Sequence, residues 1–240
     1  AVITAADMPP TFRIGVMKDN PPLKTGKVLS IRDEIAAVAA TSHEIAEEAL
    51  SLIEVEYEVL PGIFDPMEAM KEGAMLLHEE AKSNVLKMPW KLVCGDVEAA
   101  KKESAFIVED TFSTPWVTHC CLGTSGCIAQ FDTNSNLTMY SNTQIPSLAQ
   151  NDYIDALNAF GLKNRRVRVV QCVIGGGFGS KLDTYSYEYI SIMLALKTRK
   201  PVKIIFSREE EFFATSPRQC TITKISHGCD KEGGLTFREV

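Results

Sequence analysis

Hydrophobic and polar positions in the first third of the chain predict a unit of strand, helix and strand. Residues 35–40 form a continuous apolar run, which is typical of a strand buried on both faces. The capping-box pair Thr41 and Glu44 precedes apolar positions at helical spacing, which predicts a helix. Residues 54–59 then alternate between acidic and apolar side chains, as in a half-exposed strand that ends before Pro61. The first part of the chain is therefore predicted to be α/β.

Strands and helices are predicted to alternate along the rest of the chain as well. Predicted strands lie at residues 105–111, 126–132, 137–141, 167–174, 202–206 and 235–240. Helical patterns lie near residues 67–72, after Asp96, before Gly161 and between Tyr185 and Leu196. A connector around residues 84–90 contains Pro89, and we place a domain boundary near residue 90. The predicted domains are thus residues 1–90 and 91–240.

Composition and charge narrow the class of partner. Apolar residues make up 45% and charged residues 23% of the chain, ordinary values for a soluble globular protein. The net charge of −6 argues against nucleic acid, since phosphate binding requires a basic surface. No apolar run approaches the ~20 residues that span a bilayer, and residues 1–10 lack the pattern of a signal peptide.

The cysteines indicate reduced thiols and a cytoplasmic protein. There are 7 of them, an odd number, and none forms a C-x-x-C pair. Cys120, Cys121 and Cys127 lie close together, but their spacing matches no iron–sulfur or zinc site. We interpret them as buried apolar thiols, and no metal-ligand set is predicted.

Four glycines fall within residues 175–179, the glycine segment, between a predicted strand and a predicted helix. Glycine permits positive φ and close approach of backbone amides to a ligand, and amides at a helix N-terminus favour an anion. A dinucleotide fingerprint fits poorly, because Ser180 replaces its third glycine and Phe178 would crowd the turn. A tight turn without a ligand is the other alternative. Lys181 either pairs with an anion or is solvated at the start of the helix.

Blocks of sequence along the whole chain resemble, in the same order, those of one enzyme family. They are residues 2–7, 33–40, 55–61, 95–100, 141–146, 173–181 and 207–212. The last two contain G-G-G-F-G-x-K and S-R-E-E-E-F, and residues 141–146 read S-N-T-Q-I-P. The family they resemble is that of the molybdenum hydroxylases, which includes xanthine dehydrogenase and aldehyde oxidase.

The resemblance implies an α/β (α+β) fold, with an α/β hammerhead-type domain followed by the first part of a molybdopterin-binding domain. The implied cofactor is molybdenum on molybdopterin, often extended by a cytosine nucleotide in bacteria. Family members hydroxylate an electron-poor carbon of a small-molecule substrate with oxygen from water. Electrons leave through iron–sulfur clusters to FAD on partner subunits or domains. The implied partners are those subunits and the remainder of the molybdopterin subunit.

The resemblance also assigns roles to single residues. Gln144 aligns with the glutamine that hydrogen-bonds an oxo-type ligand of molybdenum, a task that suits an uncharged amide donor. Gly176, Gly177, Phe178 and Gly179 align with the backbone around the pterin and the metal, where Phe178 would be an apolar wall. The general base of the family lies in a C-terminal part that no segment here matches. We therefore expect no catalytic residue in this chain and no activity of the chain alone.

Two departures from the family pattern concern the substrate. Leu182 stands where purine-oxidising members have a glutamate, so an aldehyde or another N-heterocycle fits better than a purine. Gly123 stands where an acid follows the family histidine, which aligns with His119, and we interpret His119 as a satisfied structural histidine. The alternative function is a nucleotide-binding module that uses the glycine segment without molybdenum chemistry.

Overall fold

A computed structural model describes residues 1–86 and 91–240 of the chain. The chain divides into two units, of which unit one comprises Ala1–Glu56 and Thr118–Pro217, and unit two comprises Tyr57–Val117 and Arg218–Val240. The domain boundary predicted near residue 90 falls on residues outside the described ranges. It stays a prediction.

The described residues form short helices and strands in a mixed order. The strands are β1 (Val2–Thr4), β2 (Ala36–Val38), β3 (Phe106–Thr114), β4 (Gly126–Phe131), β5 (Leu137–Ser141), β6 (Val167–Gln171), β7 (Val202–Ile205), β8 (Thr221–Cys229) and β9 (Leu235–Glu239). The α-helices are α1 (His43–Ser51), α2 (Pro66–Ala69), α3 (Val97–Glu103), α4 (Pro146–Ala159), α5 (Ser186–Thr198) and α6 (Arg208–Phe213). Single 3₁₀ turns occur at Ala5–Asp7 and Glu79–Ala81.

Unit one is built on a four-stranded sheet with the order β6-β5-β4-β7. β5 and β6 are parallel, and the other two pairs are antiparallel. Leu137, Met139 and Ser141 alternate along β5 and are buried, so one face of the sheet is covered. α5 packs against β4 and β7, and α4 packs against β6. The strand ends of β5 and β6 are thereby fixed on a rigid layer.

The N-terminal strands belong to the same hydrophobic core. β1 pairs with β2 in antiparallel register, Ile3 opposite Ala37. Ile3 is fully buried and lies in one core cluster with Tyr153 of α4 and Ile192 of α5. Burying such side chains contributes about 1.5–3 kcal/mol each, which ties this two-stranded sheet to the helices.

Unit two contains an antiparallel sheet of three strands with the order β3-β8-β9. α3 packs against β9, and Ser104 Oγ, just after α3, hydrogen-bonds Thr236 Oγ1. The register of β8 against β9 shifts at Gly228, where an added Cβ would overlap Ser104 Oγ. This glycine therefore permits the close approach of α3 to the sheet.

Most of the strands and helices predicted beyond residue 90 are confirmed, but the strand predicted at residues 54–59 is wrong. These residues form no strand, and Val55, Tyr57 and Val59 are exposed. No backbone hydrogen bond joins them to another segment in the described part of the chain. Alternation creates a strand only where a partner supplies the hydrogen bonds, and here β1 and β2 pair with each other alone.

Smaller corrections concern the ends of elements. β2 is half-buried, because it has one partner strand, and is not buried on both faces as predicted. Ser42, not Thr41, caps α1 by accepting a hydrogen bond from Ile45 N. β6 ends at Gln171 and not at Ile174. β8 and α6 were not among the predicted elements.

The helices are short relative to the thickness of a bilayer. Within residues 1–86 and 91–240, none combines the length and the apolar character that crossing a membrane requires. The cytoplasmic location stays a prediction.

Glu34 makes the stability of unit one depend on pH. Burial raises the pKa of its carboxyl from 4.5 to about 7, and a hydrogen bond with Ser186 opposes part of that shift. The folded state therefore binds this proton more tightly than the unfolded state does, and the free energy of unfolding falls as pH rises from about 4.5 through about 7. We expect Glu34→Gln to remove this fall and to raise the free energy of unfolding at pH 8 by about 1–3 kcal/mol. Urea unfolding at pH 5 and pH 8 measures the difference.

The exposed residue Glu48 of α1 supplies the matched control, and Glu48→Gln should leave the pH dependence unchanged. Equal pH dependence in Glu34→Gln and the wild-type protein would show that Glu34 does not titrate in this range.

Candidate functional site

The glycine segment crosses the end of the four-stranded sheet immediately after β6. Cys172 N donates to Ser141 O at 2.9 Å, and beyond this point the chain leaves the sheet. α5 begins only at Ser186, and its N-terminus is capped by Glu188, whose Oε2 accepts from Tyr185 N. The expectation that the glycines open a helix is therefore wrong. An anion at the segment would not lie at the N-terminus of this helix.

Backbone conformation explains why glycine recurs in the segment. φ is +68° at Gly175, +95° at Gly176 and +102° at Gly179, a region that side chains with a Cβ rarely adopt. Gly177 has an ordinary φ, but an added Cβ would overlap Gln144 Oε1. Space and backbone angle together restrict these positions to glycine.

Gly175 also lies directly against Gly123. Gly123 N donates to Gly175 O at 2.8 Å. A Cβ on Gly175 would meet Gly123 Cα at 2.6 Å, and one on Gly123 would meet Gly175 Cα at 3.0 Å. The absence of a side chain at residue 123 therefore allows the two backbones to touch.

Gln144 is held with its amide carbonyl toward the glycine segment. Its Oε1 accepts from Gly179 N at 3.0 Å and from Lys181 N at 3.3 Å, and its own backbone N donates to Lys181 O at 2.8 Å. Two N–H donors on one oxygen define which end of the amide is which. The Nε2 group donates to no described residue, so both of its N–H bonds are available to a ligand.

The glycine segment presents further donors. The backbone N–H groups of Gly175, Gly176, Gly177 and Phe178 donate no hydrogen bond within residues 1–86 and 91–240. Together with Gln144, which contacts Gly177 and Gly179, these amides offer donors for a group rich in acceptor oxygens or sulfurs, and we name Gln144 and the glycine segment the cradle. This cradle is the candidate site.

The three residues just before Gln144 hold its backbone in place through hydrogen bonds of their side chains. Ser141 Oγ donates to Glu188 Oε1 at 2.9 Å, and Asn142 Nδ2 donates to Thr124 O at 2.7 Å. Thr143 Oγ1 accepts from Ile145 N at 3.2 Å, and Ser141, Asn142 and Thr143 are all buried. The S-N-T-Q segment is therefore rigid, which places the amide of Gln144 without the entropy cost of a mobile loop.

Phe178, His119 and Leu182 surround the cradle with different exposures. Phe178 is 74% exposed with φ +53°, and its ring covers Gly176. His119 is half-buried with its Nε2 3.8 Å from where a Cβ on Gly179 would stand, and its buried Nδ1 has no partner among the described residues. The expectation of a satisfied histidine is wrong for that atom. Leu182, the residue after Lys181 in the chain, is 37% exposed.

Lys181 fulfils neither of the alternatives expected for it. Its side chain is not solvated, since the residue is 3% exposed, and its Nζ pairs with no anion in the described part of the chain. Instead Nζ donates to Gly123 O at 2.6 Å and to Ile174 O at 2.8 Å. Burial lowers the pKa of Lys181, and the charge of Glu211 opposes that shift.

Sequence patterns did not indicate the contacts that Cys121, Arg208 and Glu211 make beneath the cradle. Arg208 Nη1 donates to Cys121 O at 2.7 Å, and Cys121 Sγ donates to Gly177 O at 3.4 Å. The buried Glu211 accepts from Ser125 N at 2.6 Å. The S-x-x-E capping box that opens α6 was the available signal, because it fixes the start of the helix that carries Arg208 and Glu211.

The cysteines of the cradle are free thiols, as are the others in the chain. Cys121 and Cys127 are buried, as predicted, but Cys120 is exposed. No group of three or more His, Cys, Asp and Glu side chains in the described ranges could hold a metal ion. The donors of the site are amides.

Comparison with known proteins assigns both parts of the chain. Residues 77–240 match the molybdopterin cofactor-binding domain, and residues 1–61 match the α/β hammerhead domain of aldehyde oxidase and xanthine dehydrogenase. The chain belongs to the aldehyde oxidase and xanthine dehydrogenase family. The fold class inferred from the sequence, a hammerhead domain followed by molybdopterin-binding sequence, is confirmed.

Relatives within this family are similar over the whole chain. It is 36% identical to the nicotinate dehydrogenase large molybdopterin subunit of Eubacterium barkeri, over 100% of the chain and 55% of that protein. It is 34% identical to one subunit of a probable xanthine dehydrogenase of Bacillus subtilis strain 168, over 100% of the chain and 31% of that protein. The chain thus spans about a third to a half of the length of these relatives.

A solved structure within the family has the same fold. The CO dehydrogenase of Oligotropha carboxidovorans superposes with a TM-score of 0.86 at 28% identity, over 98% of this chain and 31% of that one. The aldehyde oxidoreductase of Desulfovibrio gigas superposes with a TM-score of 0.85 at 22% identity, over 98% and 26%. The family fold is therefore retained across this range of sequence.

Gly175→Ala tests the contact between the two glycine backbones. The added Cβ would overlap backbone atoms of Gly123, which cannot rotate away as a side chain can. We expect a loss of about 3 kcal/mol in the free energy of unfolding. Gly161→Ala is the control, since φ is +84° there with nothing within 4 Å of the Cβ. It should cost only about 1 kcal/mol, the cost of the backbone angle. Equal losses in urea unfolding would contradict the close approach.

Proposed function

We propose that this chain forms the cofactor-cradling part of the molybdopterin subunit of a molybdenum-dependent hydroxylase. The single observation that carries the proposal is the geometry of Gln144. Its Oε1 is engaged by two backbone amides, and its Nε2 is left to donate beside four backbone N–H groups that are unpaired within the described residues. Membership in the aldehyde oxidase and xanthine dehydrogenase family supports the same conclusion.

The residues of the cradle fit such a cofactor. Gln144 Nε2 would donate to an acceptor on it, the backbone of Gly176, Gly177 and Gly179 would approach it without a Cβ in the way, and Phe178 would form an apolar wall. When bound, molybdenum on molybdopterin supplies two-electron oxidation of the substrate with oxygen taken from water. The residues of this chain hold and orient the cofactor through neutral donors, which add no charge to the site.

The proposed substrate is an N-heterocycle or an aldehyde. Leu182 supports this class, because its half-exposed aliphatic side chain cannot donate to, accept from or balance charge on a purine ring. The relative named for nicotinate makes a pyridine carboxylate the first N-heterocycle to test. The relative named for xanthine dehydrogenase makes xanthine the substrate to compare with it.

We further propose that the working enzyme contains iron–sulfur and FAD subunits and the remainder of the molybdopterin subunit. Iron–sulfur clusters and FAD would accept the electrons that the cofactor removes from the substrate. The general base of the reaction would lie in that remainder. The cytosine-extended form of the cofactor is proposed as well, and acid hydrolysis of the purified enzyme should then release CMP.

Elemental analysis of the native assembly tests the proposal. The protein is purified with its accompanying subunits from cells that make the cofactor, and molybdenum is measured per chain. We expect near-stoichiometric molybdenum, with iron and FAD in the same assembly, and oxidation of nicotinate or an aldehyde faster than that of xanthine. An intact assembly without molybdenum would contradict the proposal and favour a nucleotide binder, which bound nucleotide in the same sample would identify.

A further inference from the structure

Three consecutive backbone carbonyls beneath the cradle accept hydrogen bonds from two cationic side chains. We name residues 121–123 the carbonyl segment. Arg208 Nη1 donates to Cys121 O at 2.7 Å, its Nη2 donates to Leu122 O, and Lys181 Nζ donates to Gly123 O at 2.6 Å. A cation strengthens such a hydrogen bond about twofold over a neutral donor. The whole carbonyl segment is therefore held by charged donors.

The carbonyl segment is in turn the support of the glycine segment. Gly123 N donates to Gly175 O, and Cys121 Sγ donates to Gly177 O. Lys181 spans both segments, because its Nζ also donates to Ile174 O, the carbonyl just before Gly175. A shift of the carbonyl segment would therefore move the glycine backbone with it.

The two cations are engaged by carbonyls and not by carboxylates. Neither Lys181 nor Arg208 forms an ion pair with a carboxylate in residues 1–86 and 91–240. Glu211 lies near enough to influence Lys181, but its oxygens are taken by Ser125 N and Ser125 Oγ. Burying an ammonium without a paired carboxylate is costly, so the hydrogen bonds to Gly123 O and Ile174 O are what stabilise Lys181 in this position.

We propose that Lys181 and Arg208, together the cationic clamp, are positioning residues that hold the carbonyl segment so that the glycine segment and Gln144 present their N–H groups to the cofactor. This inference rests on the proposed function. Neither residue contacts the cofactor in this scheme, and each acts through backbone that does. Lys181 is buried and Arg208 lies at the surface, so a substitution of Arg208 disturbs the core less than one of Lys181.

The test measures how fast the holoenzyme loses molybdenum during dialysis. Arg208→Lys keeps the charge but cannot donate to two carbonyls from two fixed nitrogens. Lys181→Met keeps the length of the side chain and removes the donors. We expect each variant to lose molybdenum about 10–100-fold faster than the wild-type enzyme. The unfolding temperature of Arg208→Lys should remain that of the wild type.

Matched controls are Lys203→Met and Arg168→Lys, which change exposed residues of β7 and β6. Both should lose molybdenum at the wild-type rate. Should Lys181→Met fail to fold, the surface variant Arg208→Lys decides the question by itself. Molybdenum loss at the wild-type rate in Arg208→Lys would overturn the positioning role. Faster loss together with an unfolding temperature below that of the wild type would also overturn it, because general destabilisation would then explain the loss.

The outcome also separates the two proposals. A wild-type assembly without molybdenum contradicts the proposed function, whatever the variants do. A wild-type assembly with stoichiometric molybdenum, in which clamp variants retain it normally, supports the proposed function and contradicts the clamp alone.

Discussion

Replacing Gln144 by alanine is expected to lower kcat of the proposed hydroxylase assembly about 100-fold, the effect of removing one well-placed donor from an enzyme site. The reason is the fixed orientation of the amide, whose Oε1 accepts from Gly179 N and Lys181 N and so directs Nε2 outward. Steady-state kinetics with nicotinate and an aldehyde measure the change. We expect KM to change much less than kcat, because in the proposed function the amide donates to the cofactor and not to the substrate.

Gln144→Glu separates donation by Nε2 from the anchoring of the loop. A glutamate at this position can still accept from Gly179 N and Lys181 N, but it has no N–H to donate. Gln130→Ala, at an exposed position of β4, is the matched control and should behave as the wild type. Wild-type kcat in Gln144→Glu would contradict the donor role, whatever the result with alanine.

Glu188→Ala is expected to cost unit one about 4 kcal/mol in the free energy of unfolding, the largest loss of stability that we predict. The carboxylate of this α5 residue is fully buried and accepts from Ser141 Oγ, Tyr153 OH and Tyr185 N. Alanine would leave these three donors without their acceptor and would open a cavity. Burial raises the pKa of Glu188, and the three hydrogen bonds lower it.

Two further variants make the Glu188 prediction specific. Glu188→Gln can accept from the two hydroxyls, but one N–H of its amide would face Tyr185 N, so the loss should be smaller than with alanine. Glu47→Ala, on the exposed side of α1, should change the free energy of unfolding by less than about 0.5 kcal/mol. Urea unfolding of the three variants measures the order. A Glu188→Ala protein as stable as Glu47→Ala would contradict the proposed buried network.

Local patterns predicted most of the regular elements beyond residue 90, including β5, which has one buried face, and β3, whose residues are all exposed. β5 was predicted from its alternation and occupies the predicted residues, because Leu137 and Met139 do face a core. Residues 54–59 show an equally clear alternation but form no strand. The pattern describes which side chains could share a face, whereas a strand also requires backbone partners from elsewhere in the chain.

The order and identity of the sequence blocks were sufficient to identify the family and to name the residues of the candidate site. The side chain of Gln144 and the glycines 175–179 were named from sequence, and in the structure they lie in contact. Their roles toward the cofactor remain a proposal. The helical pattern predicted from Tyr185 also agrees with the start of α5 at Ser186, beyond the end of the glycine segment.

Only the tertiary structure decided what lies beneath the cradle. Lysine is usually a surface residue, yet Lys181 is buried. Its ammonium group can be buried because the carbonyls of Gly123 and Ile174 accept its hydrogen bonds. Arg208 reaches the carbonyls of residues 121 and 122 from 87 and 86 positions away in the chain. Periodicity reports the environment of a residue relative to its neighbours in sequence, and hydrogen bonds between distant segments leave no such pattern. The amino-acid sequence thus determined the family, most elements and the glycines, and the packing of distant loops determined how those glycines are held.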